Sequence, residues 1–369
     1  MLTITKNEYI FNNYIATLYK FIKLTKKQIK DYMTSFQYKL TEFLFRHTVR
    51  PMMKRAAMYP EKFIEKRRKT EQKKRLPLPS LHKKYDFDEQ SVGGTPYYAI
   101  HSRYKSGERL VLYFFGGGFV MSGDSGDFEF AQEMADRTGA DVWLVWHKLL
   151  PEVTDKEIIE SVITVYQEAL QRYKAEDITF FGLSSGGSLC LDVCVYINEQ
   201  TKAIPLPGKL IPVSATIQMP PTKKQSETMR EIGKKDVMFT PDYVMDSAKM
   251  ISLCGSGGLL GNAIAHSWRG FPKIMAIYGS HEIYYAQMDD FKRKCVEDKV
   301  DLKTYIGEGM MHTWVAAGWL PEAKQARDII YSYINNETLA WDAWTSILDV
   351  RSVWWRSAWF GLRLLRAPS

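Results

Sequence analysis

The chain has 369 residues, is 45% hydrophobic and 13% aromatic, and carries a formal net charge of +8. That apolar content supports one large buried core and excludes a wholly disordered chain. The charge excess is local, because ten Lys/Arg stand against three Glu between Lys54 and Arg75. With the remainder near neutral, a nucleic-acid binder with charge spread over its main domain is excluded.

Residues 1–80 read as an N-terminal helical and basic segment. Apolar residues recur at helical spacing at Tyr14, Leu18, Phe21 and Ile22, and again at Tyr32, Phe36, Leu40, Phe43 and Leu44. The apolar run at the N-terminus is broken by Asn, Thr and Lys, so no signal peptide is expected. Nowhere do about 18 uncharged apolar residues follow one another, so no membrane span is expected either. Leu76–Ser80 (LPLPS) reads as an extended linker.

Residues 81–336 change texture. Short apolar runs predict strands at Pro96–His101, Arg109–Phe115, Asp141–Trp146, Ile178–Phe181, Leu210–Ser214, Lys273–Tyr278 and Leu302–Ile306. Helical patterns fall between them at Phe128–Arg137, Lys156–Tyr173, Ser185–Asn198, Tyr284–Val300 and Pro321–Asn335. Strands alternating with helices of this length predict an α/β fold, a mostly parallel sheet with helices on both faces. The last segment, residues 337–369, is a Trp/Arg-rich tail holding five of the ten tryptophans. The four cysteines, Cys190, Cys194, Cys254 and Cys295, form no Cys-x-x-Cys and pair with no His motif, so no zinc pattern is present. So few thiols fit a reducing, cytoplasmic compartment.

Gly182-Leu183-Ser184-Ser185-Gly186 carries the chemistry. An apolar strand runs into this Gly-x-Ser-x-Gly and a helix-capable run leaves it. A sharp strand-to-helix turn needs small residues two before and two after its apex. Such a turn lifts the Ser184 hydroxyl out of the sheet and points a helix N-terminus at the reacting oxygen. Ser184 is therefore the candidate nucleophile. Gly116-Gly117-Gly118, straight after strand RLVLYFF, lets backbone amides approach a ligand, as an oxyanion hole requires.

Three blocks occur in order: Phe115-Gly116-Gly117-Gly118, His147-Lys148-Leu149-Leu150-Pro151-Glu152 and Gly182-Leu183-Ser184-Ser185-Gly186-Gly187. From about Arg109 to Asn335 the chain resembles the hormone-sensitive-lipase-like esterases of the α/β-hydrolase fold. The resemblance implies a serine hydrolase that cleaves carboxylic esters through an acyl-enzyme, with no metal or cofactor. It places the acid three residues beyond Gly279, at Glu282, with Asp289 and Asp290 as fallbacks, and the base at His312 on the loop after the strand Leu302–Ile306. By the same likeness the amides of Gly116, Gly117 and Ser185 form the oxyanion hole. The family's polar residues around these glycines are replaced here: His by Phe115, Asp by Leu183, and Tyr-Arg by His147-Lys148. Acyl transfer from the same site, or a non-catalytic small-molecule-binding protein of this fold, are the alternative readings.

In that family a helical cap covers the site. Residues 1–75 and an insertion at about 220–268 are placed to supply it. Phe119, Met238, Phe239 and Tyr243, with Met245 and Met250, are candidate substrate-binding residues. The expected partner is a small acyl ester, with no nucleic acid. The basic window and the tail are candidate peripheral membrane contacts.

Overall fold

The computed structural model describes residues 34–73, 79–105, 107–200, 203–240, 243 and 258–337. The first 33 residues, most of the linker, Met245, Met250 and the tail beyond Glu337 lie outside the described residues.

Eight strands form one sheet: β1 (Phe87–Val92), β2 (Thr95–Ile100), β3 (Leu110–Phe114), β4 (Asp141–Val145), β5 (Ile178–Leu183), β6 (Lys209–Val213), β7 (Lys273–Gly279) and β8 (Leu302–Gly307). Their order across the sheet is β1-β2-β4-β3-β5-β6-β7-β8. β2 pairs antiparallel with β1 and with β4, and every other pairing is parallel. This is the expected α/β arrangement, and it follows from strands that are buried on both faces. In β3, Leu110, Leu112 and Phe114 join one apolar layer, while Val111 and Tyr113 join the other.

Among the described residues four helices precede the sheet: α1 (Phe36–His47), α2 (Val49–Met58), α3 (Pro60–Glu71) and the single turn Pro79–His82, where the end of the linker is helical and not extended as expected. Within the sheet region come α4 (Ser125–Thr138), α5 (Asp155–Ala169), α6 (Ser185–Gln200), α7 (Lys223–Ile232), α8 (Met288–Asp298) and α9 (Pro321–Ile334). Their starts are written locally. Asp124 with Asp127, Thr154 with Glu157, and Thr222 with Gln225 form reciprocal caps at α4, α5 and α7. Side chains of α5 and α6, such as Ile158 and Leu189, fill one layer. Those of α4 and α9, such as Phe128 and Ala326, fill the other. Among the described residues no helix is long and apolar enough to cross a membrane.

Three local readings differ from expectation. β1 was not expected, because only Phe87 of its side chains is buried and the rest give no apolar alternation. The predicted helix Tyr284–Val300 is a 3-10 turn, Ile283–Gln287, followed by α8. Helix α7 lies inside the interval read only as an insertion.

The basic window falls on α2 and α3 up to Glu71, where Lys54, Lys62, Lys66 and Lys69 are exposed; Lys74 and Arg75 lie outside the described residues. Part of it is paired: Lys69 bridges to Glu65 at 3.1 Å, and Arg68 to Glu152 at 3.7 Å.

Candidate active site

β5 delivers Leu183 and then Ser184, whose φ of 53° is left-handed. A non-glycine residue holds that conformation only where its surroundings compel it. Here the Ser184 N–H donates to the Val213 carbonyl of β6 at 2.8 Å, and α6 begins at the next residue. A Cβ on Gly182 would collide with the Gly186 carbonyl, and a Cβ on Gly186 with the Phe114 carbonyl. The two glycines are thus a steric requirement of the turn.

β7 ends at Gly279, and the following turn carries Glu282. One Glu282 oxygen accepts the Gly279 N–H at 3.0 Å. The other accepts the Nδ1–H of His312 at 2.6 Å. That bond fixes the tautomer and leaves Nε2 to accept the Ser184 hydroxyl at 2.9 Å. Glu282 is fully buried and His312 nearly so. The three expected residues form one hydrogen-bonded line. The fallbacks do not join it: Asp289 is exposed, and Asp290 pairs with Gln225 at 2.6 Å and Arg293 at 2.7 Å.

The His312 loop is fixed from several sides. Ser214 Oγ at the end of β6 accepts the Thr313 N–H at 3.0 Å. Ser280 Oγ accepts the Gly309 N–H at 2.8 Å, and the His281 N–H donates to the Met310 carbonyl at 3.1 Å. From α1, Tyr38 donates its hydroxyl to the Gly309 carbonyl at 2.8 Å. The N-terminal segment therefore touches the loop that bears His312.

Gly116 lies against the serine, since a Cβ there would stand 3.4 Å from Ser184 Cβ. The next residues close a turn in which the Gly117 carbonyl accepts from Val120 at 3.2 Å and Met121 at 3.1 Å. Phe115, the residue before the glycines, stacks on the buried His147. Burial pushes the His147 imidazole down to about 4, and its Nδ1 bonds to the Lys148 carbonyl at 2.9 Å.

Of the substrate-binding candidates, Phe239 is nearest the chemistry: its ring meets the His312 ring edge-on at 4.9 Å. Tyr243 stacks on Phe239 at 4.4 Å, and Met238 is half-buried beside them. Phe119 is buried, with its carbonyl accepting the Leu150 N–H at 2.9 Å.

Two neighbours of His312 escaped sequence reasoning. Tyr284 packs its ring 5.3 Å from the imidazole. Asp236 is fully buried, and burial pushes its carboxyl up to about 6. It follows Lys234 and Lys235, a context that reads as surface, and no motif marks it.

A family model described as alpha/beta hydrolase fold matches residues 111–316, more than half of the chain. The chain belongs to that family. Among its relatives, an esterase of Acinetobacter venetianus is 26% identical over 225 residues, covering 60% of this chain and 73% of that one. The versiconal hemiacetal acetate esterase of Emericella nidulans is 25% identical over 120 residues, 32% of this chain and 41% of that one. The fold matches an esterase of the bacterial hormone-sensitive lipase family with a TM-score of 0.66 at 21% identity, over 83% of this chain and 99% of that one. A putative esterase from Staphylococcus aureus also superposes with a TM-score of 0.66, at 18% identity, over 74% and 92% of the two chains. The α/β-hydrolase family expected from the motifs is thus shown, with esterases among its relatives.

Proposed function

We propose that the chain is a carboxylic-ester hydrolase in which Ser184 is the nucleophile, His312 the general base and Glu282 its orienting acid. The observation that carries this is the unbroken line Glu282–His312–Ser184, with contacts of 2.6 and 2.9 Å. Nε2 of His312 removes the Ser184 proton as Oγ attacks the ester carbonyl. The imidazolium so formed is stabilised by Glu282, whose second oxygen is already held by Gly279. The carbonyl oxygen becomes an oxyanion beside Gly116. The amides of Gly116, Gly117 and Ser185, the last opening the 16-residue α6, are its donors.

Collapse of this intermediate transfers the proton from His312 to the leaving alcohol and leaves an acyl group on Ser184. A water activated by the same imidazole then releases the acid and restores the hydroxyl. These steps use only these side chains, backbone amides and water. The contact between α1 and the His312 loop, and that between Phe239 and His312, support a cap built from residues 1–75 and 220–268. Met238, Phe239 and Tyr243 of that cap, with Phe119 just after the glycine run, line the acyl or alcohol side.

Short-chain p-nitrophenyl esters test the reading. Wild type is expected to hydrolyse them, and Ser184→Ala to lose roughly a millionfold or fall to background. Equal turnover by the variant would remove Ser184 from the mechanism.

A further inference from the structure

Asp236 has no part in the line Glu282–His312–Ser184, yet it touches both supports of that line. Its Oδ1 accepts the N–H groups of Met238 at 2.7 Å and Phe239 at 2.9 Å. A local turn needs no more than these bonds. Its Oδ2 reaches across the chain and accepts the N–H of Ile283 at 2.9 Å, the residue next to Glu282. One carboxylate therefore holds two segments. The first presents the Phe239 ring to His312 at 4.9 Å. The second carries Glu282, which bonds His312, and Tyr284, whose ring packs on it at 5.3 Å. Phe239 and Tyr284 also meet each other, with ring centroids 6.0 Å apart.

We propose that Asp236 is a positioning residue for the ester-hydrolysing site: it ties the segment of the cap insertion that follows α7 to the turn of the catalytic acid, and so holds His312 between its hydrogen-bond partner and two aromatic rings. The inference rests on the proposed Ser184–His312–Glu282 mechanism. A buried carboxylate is costly, and apolar packing would fill the space at less expense. Its retention is explained by three amide donors that only an acceptor with two oxygens can serve. Asparagine has one oxygen. Its NH2 must face either Ile283 or the Met238/Phe239 pair, donor against donor, so one of the two segments is released. Loosening by a fraction of an ångström at the base is a loss of turnover more than of binding.

The test is Asp236→Asn beside Phe239→Leu and Ser184→Ala, assayed with p-nitrophenyl butyrate and a fluorophosphonate probe. Asp236→Asn is expected to lower kcat about tenfold or more, with KM within about threefold. The rate of probe attachment to Ser184 should fall in parallel, while circular dichroism stays native. Phe239→Leu keeps the carboxylate and its three bonds but removes the ring, and is expected to lower kcat several-fold. A folded Asp236→Asn enzyme whose kcat and labelling rate stay within twofold of wild type overturns the proposal. So does a loss confined to KM. Where Asp236→Asn does not fold, Phe239→Leu decides, and an unchanged kcat there overturns it. Turnover surviving in Ser184→Ala would instead overturn the mechanism on which the inference rests.

Discussion

The His147 ring stacks on Phe115, with centroids 4.1 Å apart and 18° between the planes. Trp146 closes on the same phenyl ring at 5.0 Å. Both members of the stack stand where the resembled family keeps other residues, His before the glycines and Tyr in the second block. The two departures meet in space. Where the resembled family has polar residues next to the glycines, this chain has an aromatic stack that ends one residue before Gly116.

Phe115→Ala should therefore act on both stability and rate. Removing a fully buried phenyl ring costs about 3–5 kcal/mol where the site cannot collapse. Urea unfolding should show that loss, and kcat for p-nitrophenyl butyrate should fall about tenfold as the residue leading into the Gly116–Gly117 turn loses its packing. Phe115→Leu, which keeps apolar volume, should lose less of each.

His147 makes stability depend on pH. Its folded-state value of about 4 lies below the unfolded value of about 6.5, because burial disfavours the charged ring. The unfolded chain thus binds more protons between these values. The contribution is complete above about pH 6.5 and is lost as pH falls towards 4, about 3 kcal/mol in all. His147→Phe removes the titration and keeps the stack. Urea unfolding of this variant should show a flatter decline between pH 6.5 and 4 than wild type shows, and an equal slope would contradict the assignment.

Glu282→Gln separates the acid from its fallbacks. Glutamine cannot accept from both Gly279 and His312, and so leaves the imidazole in the wrong tautomer or poorly held. A loss of roughly a thousandfold or more in kcat is expected. Asp289→Asn and Asp290→Asn should each stay within about twofold, since neither side chain reaches His312.

Tyr38 links α1 to the loop that bears His312. Tyr38→Phe removes its bond to the Gly309 carbonyl and should cost about 1 kcal/mol, read as a lowered melting temperature. A modest fall in kcat should accompany it. No fall in either would detach the N-terminal segment from the site.

The sheet and the Ser184 turn were legible for one reason: each rests on a local pattern, whereas Glu282 and His312 followed only from the resemblance to the esterase family. Central strands such as β3 and β5 are apolar on both faces, and the Gly-x-Ser-x-Gly turn obeys a steric rule that shows in the letters. β1 was not legible, because an edge strand that buries one of its six side chains carries no apolar signature. The helix forecast at Tyr284 begins instead as a 3-10 turn, where Ile283 serves Asp236 and Tyr284 packs on His312. The role of Asp236 and the pairing of Phe115 with His147 arise from contacts between distant residues, 47 positions apart for Asp236 and Ile283. No spacing rule reaches that far. The roles given to residues 1–33 and to the Trp/Arg tail concern segments outside the described residues.

The central claim is that Ser184 is activated by His312 and carries the acyl group. Peptide mass spectrometry after treatment with a fluorophosphonate tests it most directly. The account predicts one phosphonate per chain on the peptide containing Ser184, none in Ser184→Ala, and greatly slowed labelling in His312→Ala. Labelling at another residue, or stoichiometric labelling that persists in Ser184→Ala, would contradict it.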